Sequence, residues 1–100
     1  MMNINKTNGN GKINFALDGR LDTVTAPQLQ DALMPAFDEA KEVTLDFTKI
    51  AYVSSAGLRV LLAGQKTAKA KGASMTLCGV SDEVMEVFDM TGFSDILTIV

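Results

Sequence analysis

Apolar and polar residues alternate along three short segments of the chain, which is the pattern of half-buried β-strands. These segments cover residues 13–17, 43–47 and 74–78. A further apolar run at residues 96–100 predicts a last short strand. Because helical patterns separate these segments, we expect them to pair in parallel within one sheet.

A β-hairpin is predicted at the start of the chain. Its turn signal is Asn8-Gly9-Asn10-Gly11, in which Asn and Gly both tolerate positive φ. The residues before the turn, 3–7, are mostly polar. They are therefore expected to form an edge strand that runs antiparallel to the strand at 13–17.

Apolar residues at helical spacing predict a first helix that begins at Thr25. We expect Thr25 to cap this helix, with Gln28 completing a capping box three residues later. Pro35 lies within the apolar stripe of the helix. Since proline lacks a backbone N–H, it is expected to kink or split the helix at that point.

Two further helices are predicted from their capping residues and their apolar stripes. The second begins at Ser54-Ser55, is apolar nearly all round at its start, and ends at Gly72. The third begins at Ser81, carries two acids in its first turn, and ends at Gly92. Residues 51–53 are interpreted as a short link that leads into the second helix.

The resulting order of elements is β-β-α-β-α-β-α-β. This order predicts an α/β fold, with a single mixed β-sheet that is opened by an antiparallel hairpin and has helices packed on it. Residues 1–100 are expected to form one domain, because a chain of 100 residues can build only one core.

Composition excludes several classes of function. The chain has no His and one Cys, which excludes His-based acid–base catalysis, Ser-His-Asp nucleophiles and Cys/His metal sites. We therefore expect no enzyme, no metal and no cofactor. The net charge of −3, without a basic run, argues against nucleic acid as a partner. No apolar run reaches the ~18 residues of a membrane span, and no signal peptide is recognised, so a cytoplasmic protein without membrane insertion is expected.

In parallel sheets, functional loops lie at the carboxyl ends of the strands. Three loops qualify, at residues 19–25, 48–55 and 79–81. The middle loop places Ser54 and Ser55 where a helix begins, and Gly57 keeps that turn uncrowded. A phosphoryl group on a serine there would face free backbone N–H groups and the positive end of the helix dipole. Ordinary capping is the alternative explanation for a serine at this place.

Three other residues have candidate chemistry and a simpler explanation. Asp22, in a loop before a helix, is typical of a turn former. Asp46 lies on the polar face of its strand and is expected to be solvated or locally bonded. Cys78 is expected to pack as a small core hydrophobe and not to act as a reactive thiol. An enzyme that used Asp22 and Asp46 as acid and base is the least favoured hypothesis.

Several segments together resemble the STAS domains, in particular the bacterial anti-sigma factor antagonists. The segments are Gly19-Arg20-Leu21-Asp22, Thr25-Ala26, Leu45-Asp46-Phe47 and Tyr52-Val53-Ser54-Ser55-Ala56-Gly57-Leu58. The similarity covers essentially the whole chain, and its most specific part is the last of these segments. One departure is Ser54, since the best-known antagonists carry Asp there. Ser54 is thus a second candidate for phosphorylation.

The resemblance implies a partner-switching mechanism. The unphosphorylated domain would bind an anti-sigma factor that is also a serine kinase, phosphorylation of Ser55 would release it, and a phosphatase would reverse the modification. By position, the resemblance assigns partner binding to Asp22, Thr23, Ser54, Ser55, Gly57 and Arg59. The alternative is a constitutive STAS subunit of another complex, such as an ABC lipid-transport ATPase, in which Ser55 would be only a cap.

Overall fold

The segments with alternating residues form one five-stranded sheet in the computed structural model, which describes residues 2–100. Its strands are β1 (Asn3–Gly9), β2 (Lys12–Leu21), β3 (Glu42–Val53), β4 (Ser74–Cys78) and β5 (Thr98–Ile99). The helices are α1 (Ala26–Glu39), α2 (Ser55–Ala70) and α3 (Asp82–Thr91), followed by a 3-10 turn at Phe93–Asp95. The predicted α/β fold with a single mixed sheet is confirmed.

The strands lie in the sheet in the order in which they occur along the chain. β1 is antiparallel to β2, and each later pair of neighbours is parallel. Phe15, Leu45 and Leu77 lie side by side on three adjacent strands. Since these strands run in the same direction, the loops after β2, β3 and β4 emerge at the same end of the sheet.

The hairpin between β1 and β2 has the geometry that its residues predict. Asn10 and Gly11 have φ values of 54° and 76°, and Gly9 pairs with Lys12 across the turn. Positive φ at both central residues is characteristic of a two-residue type I′ turn, which Asn-Gly adopts at low cost.

All three helices cover the same face of the sheet. Phe47 of β3 packs against Phe88 of α3, with ring centroids 6.4 Å apart. Leu33 of α1 and Met75 of β4 both approach Gly64 of α2. Over residues 12–17, 42–47 and 74–78, the buried residues of β2, β3 and β4 alternate with partly exposed and mostly polar ones. The core therefore lies between the helices and one sheet face, and we call the other face the open sheet face.

α1 passes through Pro35 without a break, so the predicted split is wrong. Pro35 itself is exposed, whereas Leu33, Ala36 and Phe37 beside it are buried. The loss of one backbone hydrogen bond is a local cost. Burial of apolar side chains on both sides of the proline stabilises the helix through this position.

The predicted capping box at the start of α1 is also wrong. Thr25 has helical dihedral angles and makes no side-chain cap bond. Its hydroxyl instead donates to the carbonyl oxygen of Arg20, 2.6 Å away. The amide of Gln28 donates to the carbonyl oxygen of Met2 at 2.8 Å. Both side chains therefore tie α1 to other segments instead of closing its own first turn.

The boundaries of three strands differ from the prediction. β2 continues to Leu21, although a loop was expected from residue 19, because residues 19 and 21 still pair with β3. β3 continues through residues 51–53, which were expected to be a link, because Val53 still pairs with Leu21 of β2. β5 has only the two residues Thr98–Ile99, where a strand over 96–100 was expected. The reason is local, since the backbone N–H groups of Ile96 and Leu97 bond to the carbonyl of Phe93 in the turn before β5.

Cys78 is partly buried and lies outside the cluster of core residues. Its neighbour in register is Asp46, which lies on the open sheet face. The prediction that Cys78 packs in the core is therefore wrong. Successive residues of a strand point to opposite faces, and the preceding residue, Leu77, points into the core.

Gly64 provides a test of how closely α1, α2 and β4 pack. A Cβ atom at this position would lie 2.8 Å from Leu33 Cδ2 and 2.9 Å from Met75 Sδ. Gly64→Ala is expected to lower the free energy of unfolding by about 1 to 2 kcal/mol, because crowding in a packed core outweighs the better helix propensity of alanine. Urea unfolding followed by circular dichroism measures the change. In a Leu33→Val background, which lacks the Cδ atoms, the cost should shrink, and an equal cost in both backgrounds would contradict this packing.

Candidate functional site

Two of the three predicted functional loops are joined directly in the fold. The backbone N–H of Ser54, after β3, donates to the carbonyl oxygen of Leu21, the last residue of β2, at 2.9 Å. Gly57 lies against the same residue, and a Cβ atom there would be 3.1 Å from the Leu21 carbonyl oxygen and 3.1 Å from Val53 Cγ1. Glycine is therefore required for the first turn of α2 to lie this close to the strand ends.

The two adjacent serines have different structural roles. Ser54 is the N-cap of α2, with extended dihedral angles, and its Oγ accepts a hydrogen bond from the backbone N–H of Gly57 at 3.2 Å. Ser55 is the first residue of the helix, and it is exposed. Within residues 2–100, no group forms a hydrogen bond with the Ser55 hydroxyl. The structure therefore assigns the capping role to Ser54 and leaves the Ser55 hydroxyl accessible.

This division corrects the interpretation of Ser55 as a helix cap. An N-cap residue precedes the first helical residue, and its side chain reaches the N–H groups of the first turn. Ser54 meets both conditions, whereas Ser55 is already inside the helix. The best-known antagonists carry aspartate at the position of Ser54, and aspartate is also a preferred N-cap residue. The serine in this chain therefore preserves the N-cap of α2.

Asp22 organises the loop between β2 and α1. Its Oδ1 accepts hydrogen bonds from the backbone N–H groups of Val24 and Thr25, each at 3.0 Å, and its own N–H donates to the Thr25 hydroxyl at 2.9 Å. The Arg20 guanidinium lies 3.8 Å from the other carboxylate oxygen. These contacts are those of a turn former, as the sequence predicted. They also tie the loop together directly after Leu21, whose carbonyl bonds to Ser54 at the start of α2.

The hydrogen bonds to Asp22 change its titration. The Thr25 backbone N–H, more than any other group, holds the pKa of the Asp22 carboxyl below its ordinary value, and the Thr25 hydroxyl and the Val24 N–H act in the same direction. A carboxylate that accepts several backbone N–H bonds is stabilised in its charged form. Asp22 is therefore an anion at neutral pH.

A groove of about 400 Å³ runs between α1 and α2 beside these loops. Its lining includes Thr23 and Ala26 at the start of α1, and Ala56 and Arg59 on α2. Five of the predicted partner-binding residues lie at this end of the domain. Thr23 and Arg59 line the groove, Asp22 precedes Thr23 in the same loop, and Ser54 and Ser55 begin α2 next to Ala56. We call these five residues the switch surface. Gly57 is buried, and it positions this surface without being exposed on it.

Two features of this region were missed in the sequence. Val24 is 79% exposed although it is apolar, and it directly follows Thr23. The feature of the sequence that could have indicated this is a single apolar residue within an otherwise polar loop. Arg20 lies over the ring of Tyr52, with its guanidinium carbon 4.3 Å from the ring centroid. That contact joins the ends of β2 and β3 and depends on their register, which the sequence pattern does not give.

Asp46 and Cys78 lie apart from the switch surface, on the open sheet face. The hydroxyl and the backbone N–H of Thr48 both donate to Asp46 Oδ1, and they lower the pKa of this carboxyl. Partial burial, and secondly the Asp46 charge, raise the pKa of the Cys78 thiol. The prediction that Asp46 is locally bonded is confirmed.

Within the part of the chain that the structure describes, no helix is long and apolar enough to cross a membrane. The same residues contain no group of three or more acidic or Cys side chains arranged to hold a metal ion.

The different roles of the two serines lead to different expected stabilities. Ser54→Ala is expected to lower the free energy of unfolding by about 1 kcal/mol, because the Gly57 N–H loses its partner. Ser55→Ala, the matched control one residue away, should change it by less than about 0.5 kcal/mol, since an exposed helical position accepts alanine. Chemical denaturation of both variants is the measurement. A larger loss for Ser55→Ala would mean that the cap is assigned to the wrong serine.

Asp22 should make stability depend on pH in an identifiable way. Its folded pKa lies below the ordinary value of 3.8, so its contribution is fully present above that value and is lost as pH falls through the folded pKa. At pH 7, Asp22→Asn should therefore unfold at lower denaturant concentration than wild type, and the difference should shrink below about pH 4. Asp31→Asn, which removes an exposed carboxylate on α1, is the control for the loss of one negative charge. A difference for Asp22→Asn that is constant with pH would contradict the role of the charge.

Comparison with known proteins identifies relatives over the full length of the domain. The model of the STAS domain family matches residues 2–100. The anti-sigma-B factor antagonist of Bacillus subtilis (strain 168) is 33% identical over 102 residues, which cover 98% of this chain and 92% of that protein. The anti-sigma-B factor antagonist of Listeria monocytogenes is 32% identical over 88 residues, covering 87% of this chain and 77% of that protein.

Solved structures support the same assignment at the level of the fold. The anti-sigma factor antagonist SpoIIAA in its unphosphorylated form superposes with a TM-score of 0.82 at 17% identity, covering 98% of this chain and 88% of that one. A single mixed sheet covered by helices on one face, the motif at the start of α2 and the family match over residues 2–100 agree. The chain is a member of the STAS domain family.

Proposed function

We propose that this protein is an anti-sigma factor antagonist that binds an anti-sigma factor through the switch surface and is released when Ser55 is phosphorylated. The observation that carries the proposal is the exposed Ser55 hydroxyl, which has no partner within residues 2–100 while Ser54 caps the helix. A serine without a structural task is free to be modified without loss of the fold.

Relatives support this role for the chain. The proteins from Bacillus subtilis and Listeria monocytogenes that it matches are named anti-sigma-B factor antagonists. The SpoIIAA fold has been solved in an unphosphorylated and in a phosphorylated form. We extend both properties to this chain, with a serine kinase that is itself the anti-sigma factor, and a phosphatase, as the proposed enzymes of the cycle.

The physical basis of release is the charge that phosphorylation adds. A phosphoserine carries about −1.5 to −2 charges at pH 7. The switch surface already holds the anionic Asp22, and the chain has a net charge of −3. Burying an additional charge without a partner against another protein is costly. A change from about 99% bound to 99% free requires roughly 10⁴-fold weaker affinity. The free-energy cost of removing a phosphoryl group from water at the interface is large enough to produce this change.

The start of α2 tolerates the modified form of the protein. The first turn of α2 contains no acidic residue, unlike the first turn of α3, which holds Asp82 and Glu83. An anion at a helix N-terminus is favourable. The proposed phosphoserine therefore stabilises the domain locally while it opposes the partner. We also propose that the protein acts by binding and not by catalysis, which its lack of His supports.

A pull-down tests the proposed function. Wild type, Ser55→Asp and Ser74→Asp are used as parallel baits in lysate of the source cell, with bound proteins identified by mass spectrometry. Ser74→Asp is the matched control, because it adds the same charge at an exposed position at the start of β4, the opposite end of the sheet. We expect a kinase-type ATPase to be bound by wild type and Ser74→Asp and to be at least tenfold depleted with Ser55→Asp.

The other outcomes of the pull-down are equally informative. A transporter ATPase held equally by all three baits would support the constitutive-subunit alternative. Incubation of the captured ATPase with ATP and wild-type protein should add one phosphoryl group, and peptide mass spectrometry should place it on Ser55. Modification at Ser54 or at neither serine would contradict the proposal.

A further inference from the structure

We propose that Arg59 pairs with the phosphoryl group of phosphorylated Ser55 inside α2. The phosphorylation therefore both adds an anion and withdraws the one cation of the α1–α2 groove from contact with a partner. This inference rests on the proposed phosphorylation of Ser55 and concerns how that modification acts on the chain itself.

The spacing of the two residues places them on the same face of α2. Ser55 and Arg59 are four residues apart in a continuous helix, so their Cβ atoms lie about 5–6 Å apart. Side chains on a helix lean toward its N-terminus, which directs the guanidinium of Arg59 over the turn that contains Ser55. An anion that precedes a cation by four residues is also the favourable orientation of such a pair.

Arg59 is free to make this contact. It is exposed and lines the groove opposite Thr23, and no carboxylate within residues 2–100 lies within 4.0 Å of its guanidinium. The other arginine near the switch surface, Arg20, is already engaged, because it lies over the Tyr52 ring and beside Asp22. Arg59 is therefore the cation that a phosphoryl group on Ser55 meets first. Its guanidinium can donate two parallel hydrogen bonds to phosphate oxygens.

The consequence for recognition is a reversal of local charge. Before modification, the groove presents the positive charge of Arg59 to a partner, so the contact that complements it is a carboxylate. After modification, the pair of groups carries a net negative charge, since the phosphoryl group contributes about −2 and the guanidinium +1. A partner carboxylate that bound Arg59 then meets an anion.

The pairing can be measured in the isolated protein by phosphorus NMR. Phosphoserine is introduced at position 55 during translation, and the second pKa of its phosphate, about 6 when unperturbed, is obtained from a pH titration. Pairing with Arg59 should lower this pKa relative to Arg59→Gln by roughly 0.3 unit or more, from the usual strength of an i,i+4 ion pair. Arg59→Lys keeps the charge without the planar fork and should restore part of the shift.

Lys66→Gln is the matched control. Lys66 lies on the same stripe of α2, eleven residues from Ser55 and so about 16 Å along the helix, beyond the screening length of about 10 Å at 0.1 M salt. The Lys66→Gln substitution should leave the phosphate pKa unchanged within about 0.1 unit. Equal pKa values for wild type and Arg59→Gln, or equal shifts for Arg59→Gln and Lys66→Gln, would overturn the proposal. Because no partner is present, this result is independent of the pull-down, and either can fail without the other.

Discussion

The contact between Leu21 and the first turn of α2 is the constraint on which the site depends. It consists of the hydrogen bond from the Ser54 N–H to the Leu21 carbonyl and the close approach of Gly57 to the same residue. Through it, the end of β2 fixes the start of a helix that follows a different strand. The loop with Asp22 and the helix with Ser55 thereby form one surface. A side chain at Gly57 would push these two parts away from each other.

The sheet supports this contact by burying only one of its faces. With all three helices on that side, the helix starts and strand ends are aligned at one end of the domain, and their polar groups must be satisfied there. Asp22, Ser54 and Thr25 do so by local hydrogen bonds. Ser55 is left out of this network. The proposed regulation uses a hydroxyl in this region on which the fold makes no demand.

The α1–α2 groove connects local electrostatics with partner choice. Arg59 is the one cation among the residues that line the groove, and the exposed apolar side chain of Val24 follows Thr23, another lining residue. Such a surface combines area for apolar burial with one charged contact, which sets orientation and specificity more than affinity. In the proposed mechanism, a phosphoryl group on Ser55, one helical turn away, alters that contact through its charge.

The sequence by itself determined the element order, the sheet class, the hairpin turn and the position of the candidate serine. These follow from residue alternation, from Asn-Gly turn chemistry and from the motif at residues 52–58, all of which act over short stretches of chain. Only the tertiary structure decided which serine caps α2, what Thr25 and Gln28 bind, why Pro35 does not split α1 and on which face Cys78 lies. What Thr25 and Gln28 bind and why Pro35 leaves α1 intact depend on packing against other segments of the chain. The serine that caps α2 and the face of Cys78 depend on how the start of α2 and β4 are placed against the sheet.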